Sequence, residues 1–336
     1  MGVRLKVGKL PPEILGRLLA GTPCTDPRVV VGPRIGEDAA VIDFGATYLV
    51  AKTDPITFAT DRIGWYAVNI NANDVAAMGA RPKWFLATLL LPEGSADEGL
   101  AEGIFNDIVA SCAGLGISLV GGHTEITAGL ERPILVGQML GEVEKDRLVC
   151  NRNARPGDAI LLTKGIAIEA TALIARERAA EVERDLGAAL ARRARDFLFE
   201  PGISVVREAL AANGAGRVHA MHDPTEGGLA TGLWELAEAA GLGLLVETAK
   251  IHVYNDSARL CGRFGLDPMG VIASGALLIV AAPEDAPQVL AAIRQAGVEA
   301  SVVGAMRPRE EGRKMRVGSE VRDLPAFERD EIAKLF

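Results

Sequence analysis

The chain has 336 residues, of which 49% are hydrophobic and 24% charged, and its net charge is −8. This composition is typical of globular proteins and excludes a disordered chain, which would be more polar. At about 150 residues per domain, the length predicts roughly two domains. Acidic residues outnumber basic ones in both halves of the chain, so we expect no nucleic acid as a partner.

The sequence gives no sign of a membrane segment. Its longest apolar run, residues 272–282, is far too short for the roughly 20 residues that a membrane helix needs. The N-terminal residues have no apolar signal-peptide core. The four cysteines are scattered without a CxxC pair, which disfavours structural zinc and fits a reducing compartment. We therefore expect no membrane association and a cytoplasmic location.

The first 150 residues predict an α/β domain. A short helix is expected from Pro12, and a longer one is capped by Asp61 and runs to Met78. Ser95 and Glu98 form a predicted capping box for a third helix. Apolar runs predict strands at residues 39–43, 48–52, 84–91, 117–120 and 134–143.

A polar stretch with proline and glycine, residues 151–158, predicts the boundary to a second domain over residues 151–336. Apolar runs in it predict strands at residues 159–163, 218–221, 244–246, 276–280 and 298–303. Helices are expected at residues 168–180, 185–197, 204–212, 227–240 and 286–296. This alternation again predicts an α/β fold, and residues 250–268 give no clear pattern.

Three acidic segments suggest a site. Asp38 precedes a predicted strand, and Asp54 follows another. The third segment, on the helix that ends near Met78, contains Asn69, Asn71, Asn73 and Asp74. Asparagine and aspartate disfavour helix interiors, so this face is either a solvated surface or a polar site. Small apolar neighbours favour the site, and oxygen ligands without a His/Cys cluster favour Mg²⁺.

Two glycine-rich segments follow predicted strands, at residues 119–125 (LVGGHTE) and 222–229 (HDPTEGGL). Glycine lets backbone N–H groups approach a phosphate, and a helix N-terminus favours an anion. Each segment alone is more typical of a structural turn. Together with the three acidic segments they predict a magnesium–nucleotide site, although the chain has neither a P-loop nor a GxGxxG motif.

His123 follows Gly121 and Gly122 and admits three interpretations: a general base, a phosphate ligand or a hydrogen-bonded structural residue. The last of these is the usual case for a single histidine. The cysteines are expected to be small core residues rather than nucleophiles, because no activating neighbour is evident in the sequence.

The order of the motifs GEDAAV, KTDP, NANDVAAMGARP, VGGHTE, RPGD, EPGISVV, HDPTEGGLA and ASGALLIV resembles the aminoimidazole ribonucleotide synthetase superfamily. The resemblance extends from about Gly8 to about Gly304. Members of this superfamily include the purine enzyme, thiamine-monophosphate kinase, selenophosphate synthetase and a hydrogenase maturation protein that dehydrates a carbamoyl group. EPGISVV and DPTEGGLA are most similar to the hydrogenase maturation branch.

The resemblance implies a homodimer in which the N-terminal domains pair into a β-barrel, with ATP in a cleft near the domain and subunit junctions. It implies that Mg²⁺ and the ATP phosphates are held by a set of carboxylates: Asp38, Asp54, Asp74 and Asp223. The matching motifs imply that Lys52 and Thr53 line the phosphate site. The amide Asn71 within the predicted helix and the glycine-rich segment with Gly121 and Gly122 are further candidate nucleotide-binding positions. His123 is the candidate catalytic residue.

The resemblance is incomplete. The hydrogenase maturation proteins end in a tail with a C-terminal cysteine that carries the carbamoyl group, whereas the last cysteine here is Cys261. We therefore do not expect that particular reaction. The thiamine kinase has a second aspartate where this chain has Glu226, and the purine enzyme has glutamate where this chain has His123.

These observations predict a protein that binds Mg-ATP and either phosphorylates a small-molecule acceptor or activates its carbonyl or amide oxygen. Two alternatives stay open. The chain could be a non-catalytic nucleotide-binding partner of another maturation protein, or it could be a kinase similar to thiamine-monophosphate kinase. The sequence does not identify the acceptor.

Overall fold

The structure, a computed structural model, describes residues 10–34, 37–57, 59 and 61–335, except for the side chains of Pro12 and Glu13. Gly8 and Gly36, named above at the start of the resemblance and of its first motif, lie outside these residues. Two compact units are present. The six-stranded unit comprises Arg28–Val31 and Asp38–Leu148, and the seven-stranded unit comprises the other described residues.

The six-stranded unit is one mixed sheet with two helices. The described strands and helices are β1 Val29–Val31, β2 Ala40–Asp43, β3 Thr47–Ile56, α2 Ile63–Ala77, β4 Arg81–Pro92, α3 Glu98–Leu115, β5 Ser118–Thr127 and β6 Ile134–Glu144, while α1 Pro12–Ala20 precedes them in the other unit. The strand order is β1-β2-β3-β6-β4-β5, and only β4 and β5 pair in parallel. Helix α2 packs against β3, β6 and α3.

The seven-stranded unit has the strand order β13-β12-β9-β11-β7-β10-β8. Its strands are β7 Ala159–Thr163, β8 Val218–His222, β9 Gly243–Glu247, β10 Leu278–Ala281, β11 Ala300–Arg307, β12 Arg313–Val317 and β13 Glu320–Asp323. Its helices after α1 are α4 Ile168–Glu177, α5 Ala179–Leu186, α6 Ala188–Asp196, α7 Val206–Ala215, α8 Gly228–Ala240, α9 Asn255–Phe264 and α10 Ala286–Gln295. Apolar side chains of its strands and of α8 form a continuous buried core.

Two helix caps differ from the predictions. Helix α2 begins at Ile63 rather than at Asp61, and its N-cap Arg62 has φ 60° and no side-chain cap. Arg62 instead forms an ion pair with Asp107 of α3. Helix α3 is capped not by Ser95 but by Asp97, whose extended backbone lets its carboxylate accept the N–H of Leu100 at 2.8 Å.

Two strands are longer than their apolar runs predict. Strand β3 continues to Ile56 because β6 pairs with it along its whole length, so Asp54 lies within the strand rather than after it. The expected turn at residues 121–123 is also wrong. Strand β5 continues through it to Thr127, parallel to β4. A Cβ atom on Gly122 would lie 2.0 Å from the carbonyl oxygen of Ala87, so glycine permits this close strand pairing.

Other differences concern the seven-stranded unit. The two helices predicted over residues 168–197 are three, because the chain breaks near Arg178 and again at Gly187, where φ is +90°. The stretch without a clear pattern, residues 250–268, contains α9. The hairpin of β12 and β13 was not predicted either. All four cysteines are free thiols. Among the described residues, no helix combines the length and apolar character needed to cross a membrane.

The contact between α2 and α3 depends on a glycine. A Cβ atom on Gly64 would lie 2.6 Å from the carbonyl oxygen of Ile104 and 2.8 Å from Cβ of Asp107. We expect Gly64→Ala to lower the free energy of unfolding by about 1–3 kcal/mol, because the helices would have to separate. Chemical denaturation measures this loss.

Gly103 of α3 is the matched control, because nothing lies within 4 Å of a Cβ atom placed on it. Gly103→Ala should raise the free energy of unfolding by up to about 1 kcal/mol, since alanine favours a helix interior. Equal effects of the two substitutions would contradict the described contact.

Candidate functional site

A lysine and two aspartates meet in the six-stranded unit. Lys52 and Asp54 lie on β3, and Asp74 lies on α2. The Nζ atom of Lys52 is 3.1 Å from Oδ2 of Asp74 and 3.7 Å from Oδ2 of Asp54. The side chain of Asp74 is 6% exposed and that of Lys52 is 22% exposed. The site therefore combines a buried carboxylate with a lysine whose side chain is partly exposed.

Strand alternation explains which residues of β3 reach this site. Lys52 and Asp54 are two residues apart and share the face of the strand that meets α2. Thr53 lies between them and points to the opposite face, and its hydroxyl donates to the carbonyl oxygen of Gly137 at 2.9 Å. The structure thus brings Lys52, Asp54 and Asp74 together but not Thr53.

The asparagines of α2 hold the helix rather than form an open polar surface. The Asn71 amide donates to the carbonyl oxygens of Ala67 at 2.8 Å and of Asp54 at 3.3 Å. Asn69 donates in the same way to the carbonyl oxygen of Trp65 at 2.9 Å. All of these asparagine side chains are buried, which excludes the solvated-surface interpretation. Asn71 therefore fixes α2 against β3, the contact that aligns Asp74 with Lys52.

The site carries more negative than positive charge. A carboxylate oxygen of Asp38 lies within 4.8 Å of one from Asp74, so three aspartates surround Lys52. Burial raises the pKa of Asp74 to about 7, and the charges of Asp38 and Asp54 act in the same direction, against the effect of Lys52. Burial lowers the pKa of Lys52, but the three carboxylates outweigh it and raise that pKa. One ammonium group thus cannot balance the three carboxylates.

This donor set fits a magnesium ion. The candidate ligands Asp38, Asp54 and Asp74 all offer carboxylate oxygens. Hard divalent cations such as Mg²⁺ prefer these oxygens to sulfur or imidazole ligands. Burial, aided by the charges of Asp38 and Asp54, raises the pKa of Asp74, and a bound cation would favour its charged form.

The segment Gly121–His123 lies elsewhere in the six-stranded unit. It belongs to β5, which β6 and β4 separate from β3. At about 4.8 Å between neighbouring strands, β5 lies about 14 Å from β3. The His123 side chain is 65% exposed and lies 3.1 Å from Glu125, whose pKa is lowered by that hydrogen bond. The structure therefore does not bring these residues to the Lys52 site of the same chain.

His123 instead lines a cavity of about 380 Å³ between β5, β4 and α3. The lining is mostly apolar and includes Phe105 and Ile108 of α3. The catalytic role of His123 stays a prediction.

Asp223 belongs to the seven-stranded unit, where it directly follows β8 and is 2% exposed. The turn from Asp223 to Gly227 leads into α8, as the sequence predicted. The N–H of Gly227 donates to a carboxylate oxygen of Asp330 at 2.7 Å. This backbone donor, which the sequence suggested for phosphate, is therefore occupied by a residue of the same unit.

Two acidic residues near this turn were not predicted. Burial raises the pKa of Glu169, in the first turn of α4, to about 7, and Asp330 and Glu226 raise it further while Ser274 opposes them. Burial also raises the pKa of Asp330 to about 6, although N–H groups of Ile332 and Gly227 bind it. The position of Glu169 among apolar residues of α4 could have indicated a buried acidic side chain. No residue pattern near Asp330 indicated its contact with the turn.

Both units match one protein family. Residues 36–143 match the N-terminal domain of AIR synthase related protein, and residues 155–315 match its C-terminal domain. The chain belongs to this family. The match confirms the resemblance to the aminoimidazole ribonucleotide synthetase superfamily and the predicted fold class.

Several relatives support this assignment. The carbamoyl dehydratase HypE of Cupriavidus necator is 31% identical over 273 residues, which cover 78% of this chain and 73% of that protein. The selenide, water dikinase of Pelobacter propionicus is 27% identical over 337 residues, which cover 88% of this chain and 91% of that protein. A crystal structure of the hydrogenase maturation protein HypE in complex with ATP is 25% identical, has a TM-score of 0.69 and covers 91% of each chain.

The charge balance of the site generates a prediction for Lys52→Met. In the absence of divalent cations we expect this substitution to lower the free energy of unfolding at pH 8 by about 3 kcal/mol, because it leaves three carboxylates without their cation. The contribution of Asp74 to wild-type stability is lost as the pH rises from 3.8 to about 7, since its folded pKa exceeds its unfolded value. Loss of the Lys52 charge should raise the pKa of Asp74 further. The substitution should therefore lower the free energy of unfolding more at pH 8 than at pH 5.

Denaturation in EDTA and in millimolar Mg²⁺ measures this effect, and Mg²⁺ should restore more stability to Lys52→Met than to the wild type. Lys83→Met is the control, since Lys83 pairs with Glu142 on a half-exposed surface and should change stability by less than about 1 kcal/mol. A loss that is independent of both pH and Mg²⁺ would argue against a cation site here.

Proposed function

We propose that this protein binds Mg-ATP at Lys52, Asp54, Asp74 and Asp38, and uses ATP to phosphorylate a small molecule or to activate its oxygen. The observation that carries the proposal is the group of three carboxylates around one lysine, at the positions where the family resemblance implies Mg²⁺ and phosphate ligands. The match to the ATP complex of HypE supports the choice of nucleotide.

The residues have distinct roles in this proposal. Asp38, Asp54 and Asp74 would hold Mg²⁺, which neutralises phosphate charge when it is bound. Lys52 lies 3.1 Å from the buried Asp74 and attracts the phosphates electrostatically. Asn71 keeps Asp74 in register with Lys52 by anchoring α2 to β3. Asp223 is a proposed nucleotide contact of the seven-stranded unit, and this assignment depends on the resemblance of its motif.

The acceptor is a small molecule with a carbonyl, amide or phosphate oxygen. The name of one relative, a carbamoyl dehydratase, supports an amide oxygen, and the name of another, a selenide, water dikinase, supports phosphoryl transfer to a small molecule. A second candidate function, a non-catalytic nucleotide-binding partner in hydrogenase maturation, is favoured by the match to the hydrogenase maturation protein HypE in complex with ATP. Steady ATP turnover with a small acceptor would favour catalysis, whereas ATP binding without turnover would favour the partner role.

We expect calorimetric titration of the wild type with Mg-ATP to give saturable binding, and Asp74→Asn to weaken it at least about 100-fold. Even residues that only support a metal ligand contribute about 10–100-fold to metal affinity, and Asp74 is a proposed ligand itself. Circular dichroism should show an unchanged fold.

Asp43→Asn is the control for this titration, because Asp43 lies in the same unit and its carboxylate pairs with Lys145 at the surface. It should bind Mg-ATP like the wild type. Absence of wild-type binding at millimolar nucleotide would refute the proposed function, and unchanged affinity in Asp74→Asn would remove Asp74 from the site.

We also propose that two copies associate through β5. This strand is at the edge of the sheet and pairs, within the described part of the chain, only with β4. Val120 and Ile126 on it are 53% and 58% exposed, and Phe105 and Val109 of α3 are exposed as well. A long edge strand with exposed apolar side chains is a surface that natural proteins usually cover.

Ile126→Lys should therefore reduce the mass measured by light scattering from that of a dimer to that of a monomer. Val321→Lys serves as the control, because Val321 is 50% exposed on β13 of the other unit. A monomeric wild type, or a dimer that persists in Ile126→Lys and dissociates in Val321→Lys, would contradict the proposed interface.

A further inference from the structure

A segment near the C-terminus, Phe327–Leu335, packs against and hydrogen-bonds to other residues of the seven-stranded unit. The ring of Phe327 lies against Gly270, where a Cβ atom would be 2.7 Å from it. The N–H of Glu331 donates to the carbonyl oxygen of Gly270 at 3.0 Å. Nη1 of Arg178 donates to the carbonyl oxygen of Leu335 at 2.8 Å. The segment thus has a defined place on this unit.

Asp330 connects this segment to the turn that leads from Asp223 into α8. One carboxylate oxygen accepts the N–H of Gly227 at 2.7 Å, and the other accepts the N–H of Ile332 at 2.8 Å. The first contact joins residues 103 positions apart in the sequence. Asp330 is partly buried, which limits the access of water that could replace the carboxylate as the partner of Gly227.

The opposite side of the turn is fixed by the backbone. The carbonyl oxygen of Thr225 accepts the N–H groups of Gly228 at 3.0 Å and of Ala273 at 3.3 Å. Gly227 and Gly228 have φ values of +80° and +67°, a conformation that costs other residues free energy. Two consecutive glycines make this part of the turn intrinsically flexible, so its order in the folded protein depends on bonds such as that of Asp330.

We infer that Asp330 is a positioning residue for the nucleotide site: by binding the N–H of Gly227 it holds the turn whose first residue is Asp223. The inference rests on the proposed function, in which Asp223 contacts Mg-ATP. Asp330 itself contacts the backbone of the turn and needs no contact with the nucleotide.

A carboxylate is suited to this role. The N–H of Gly227 immediately precedes α8, and the positive end of the helix dipole favours an acidic partner there. Without an acceptor at residue 330, the N–H group of Gly227 would lose this hydrogen bond, at a point where two consecutive glycines make the backbone flexible. The turn would then sample conformations in which Asp223 is displaced, and affinity for the nucleotide would fall.

The test compares Mg-ATP binding by the full chain with three substitutions. Asp330→Ala removes the acceptor and should weaken binding about tenfold, the lower end of the effect of residues that support a metal ligand. Asp330→Asn retains one amide oxygen that can accept the N–H of Gly227 and loses only the acceptor for Ile332, so its affinity should return to within about threefold of the wild type. Glu331→Ala, which removes only the contact with the N–H of Asp267 and the neighbouring Lys334, should bind like the wild type.

Denaturation of each variant separates positioning from a general loss of stability. Rescue by Asp330→Asn, with normal affinity in Glu331→Ala despite any similar loss of stability, supports the inference. Wild-type affinity in Asp330→Ala, or equal weakening in Asp330→Ala and Glu331→Ala, would overturn it and leave the proposed function intact. Absence of binding by the wild type would refute the proposed function, and the inference with it.

Discussion

One lysine among three carboxylates is the constraint on which the six-stranded unit depends. Lys52 lies 3.1 Å from Asp74, and Asp54 and Asp38 add two further negative charges. Buried charges are costly unless they are paired, and here one ammonium group lies among three carboxylates. The raised pKa of Asp74 is the measurable sign of this cost. A site that is destabilised in this way is typical of function, since the same excess charge is what attracts a divalent cation.

Backbone contacts keep this arrangement in place. The asparagine side chains of α2 are buried, and Asn71 connects the helix to the backbone of Asp54. Gly137 of β6 provides the space, because a Cβ atom there would be 2.4 Å from the Asn71 amide nitrogen. A helix with several buried amides is unfavourable by intrinsic propensity, and tertiary contacts compensate for it. In the seven-stranded unit Asp330 has a comparable role, because it binds the backbone of a glycine-rich turn.

The sequence predicted much of the fold and the acidic residues of the site, because motif order and apolar runs are local properties. Lys52, Asp54 and Asp74 could be predicted for this reason. The contact of the Thr53 hydroxyl with Gly137 and the absence of a turn at Gly121–His123 could not be predicted. Both depend on how far β3 and β5 extend, which is determined by partner strands distant in the sequence. The contact of Asp330 with Gly227 spans 103 positions and leaves no local pattern. Predictions therefore failed where long-range pairing decides the outcome.

The most direct measurement is a crystal structure of the protein with Mn²⁺, as an anomalous scatterer in place of Mg²⁺, and a non-hydrolysable ATP analogue. We expect an anomalous peak at about 2.0–2.3 Å from carboxylate oxygens of at least two of Asp38, Asp54 and Asp74. We also expect nucleotide phosphates next to Lys52. A bound analogue whose metal and phosphates lie away from these residues would show that Mg-ATP binds elsewhere.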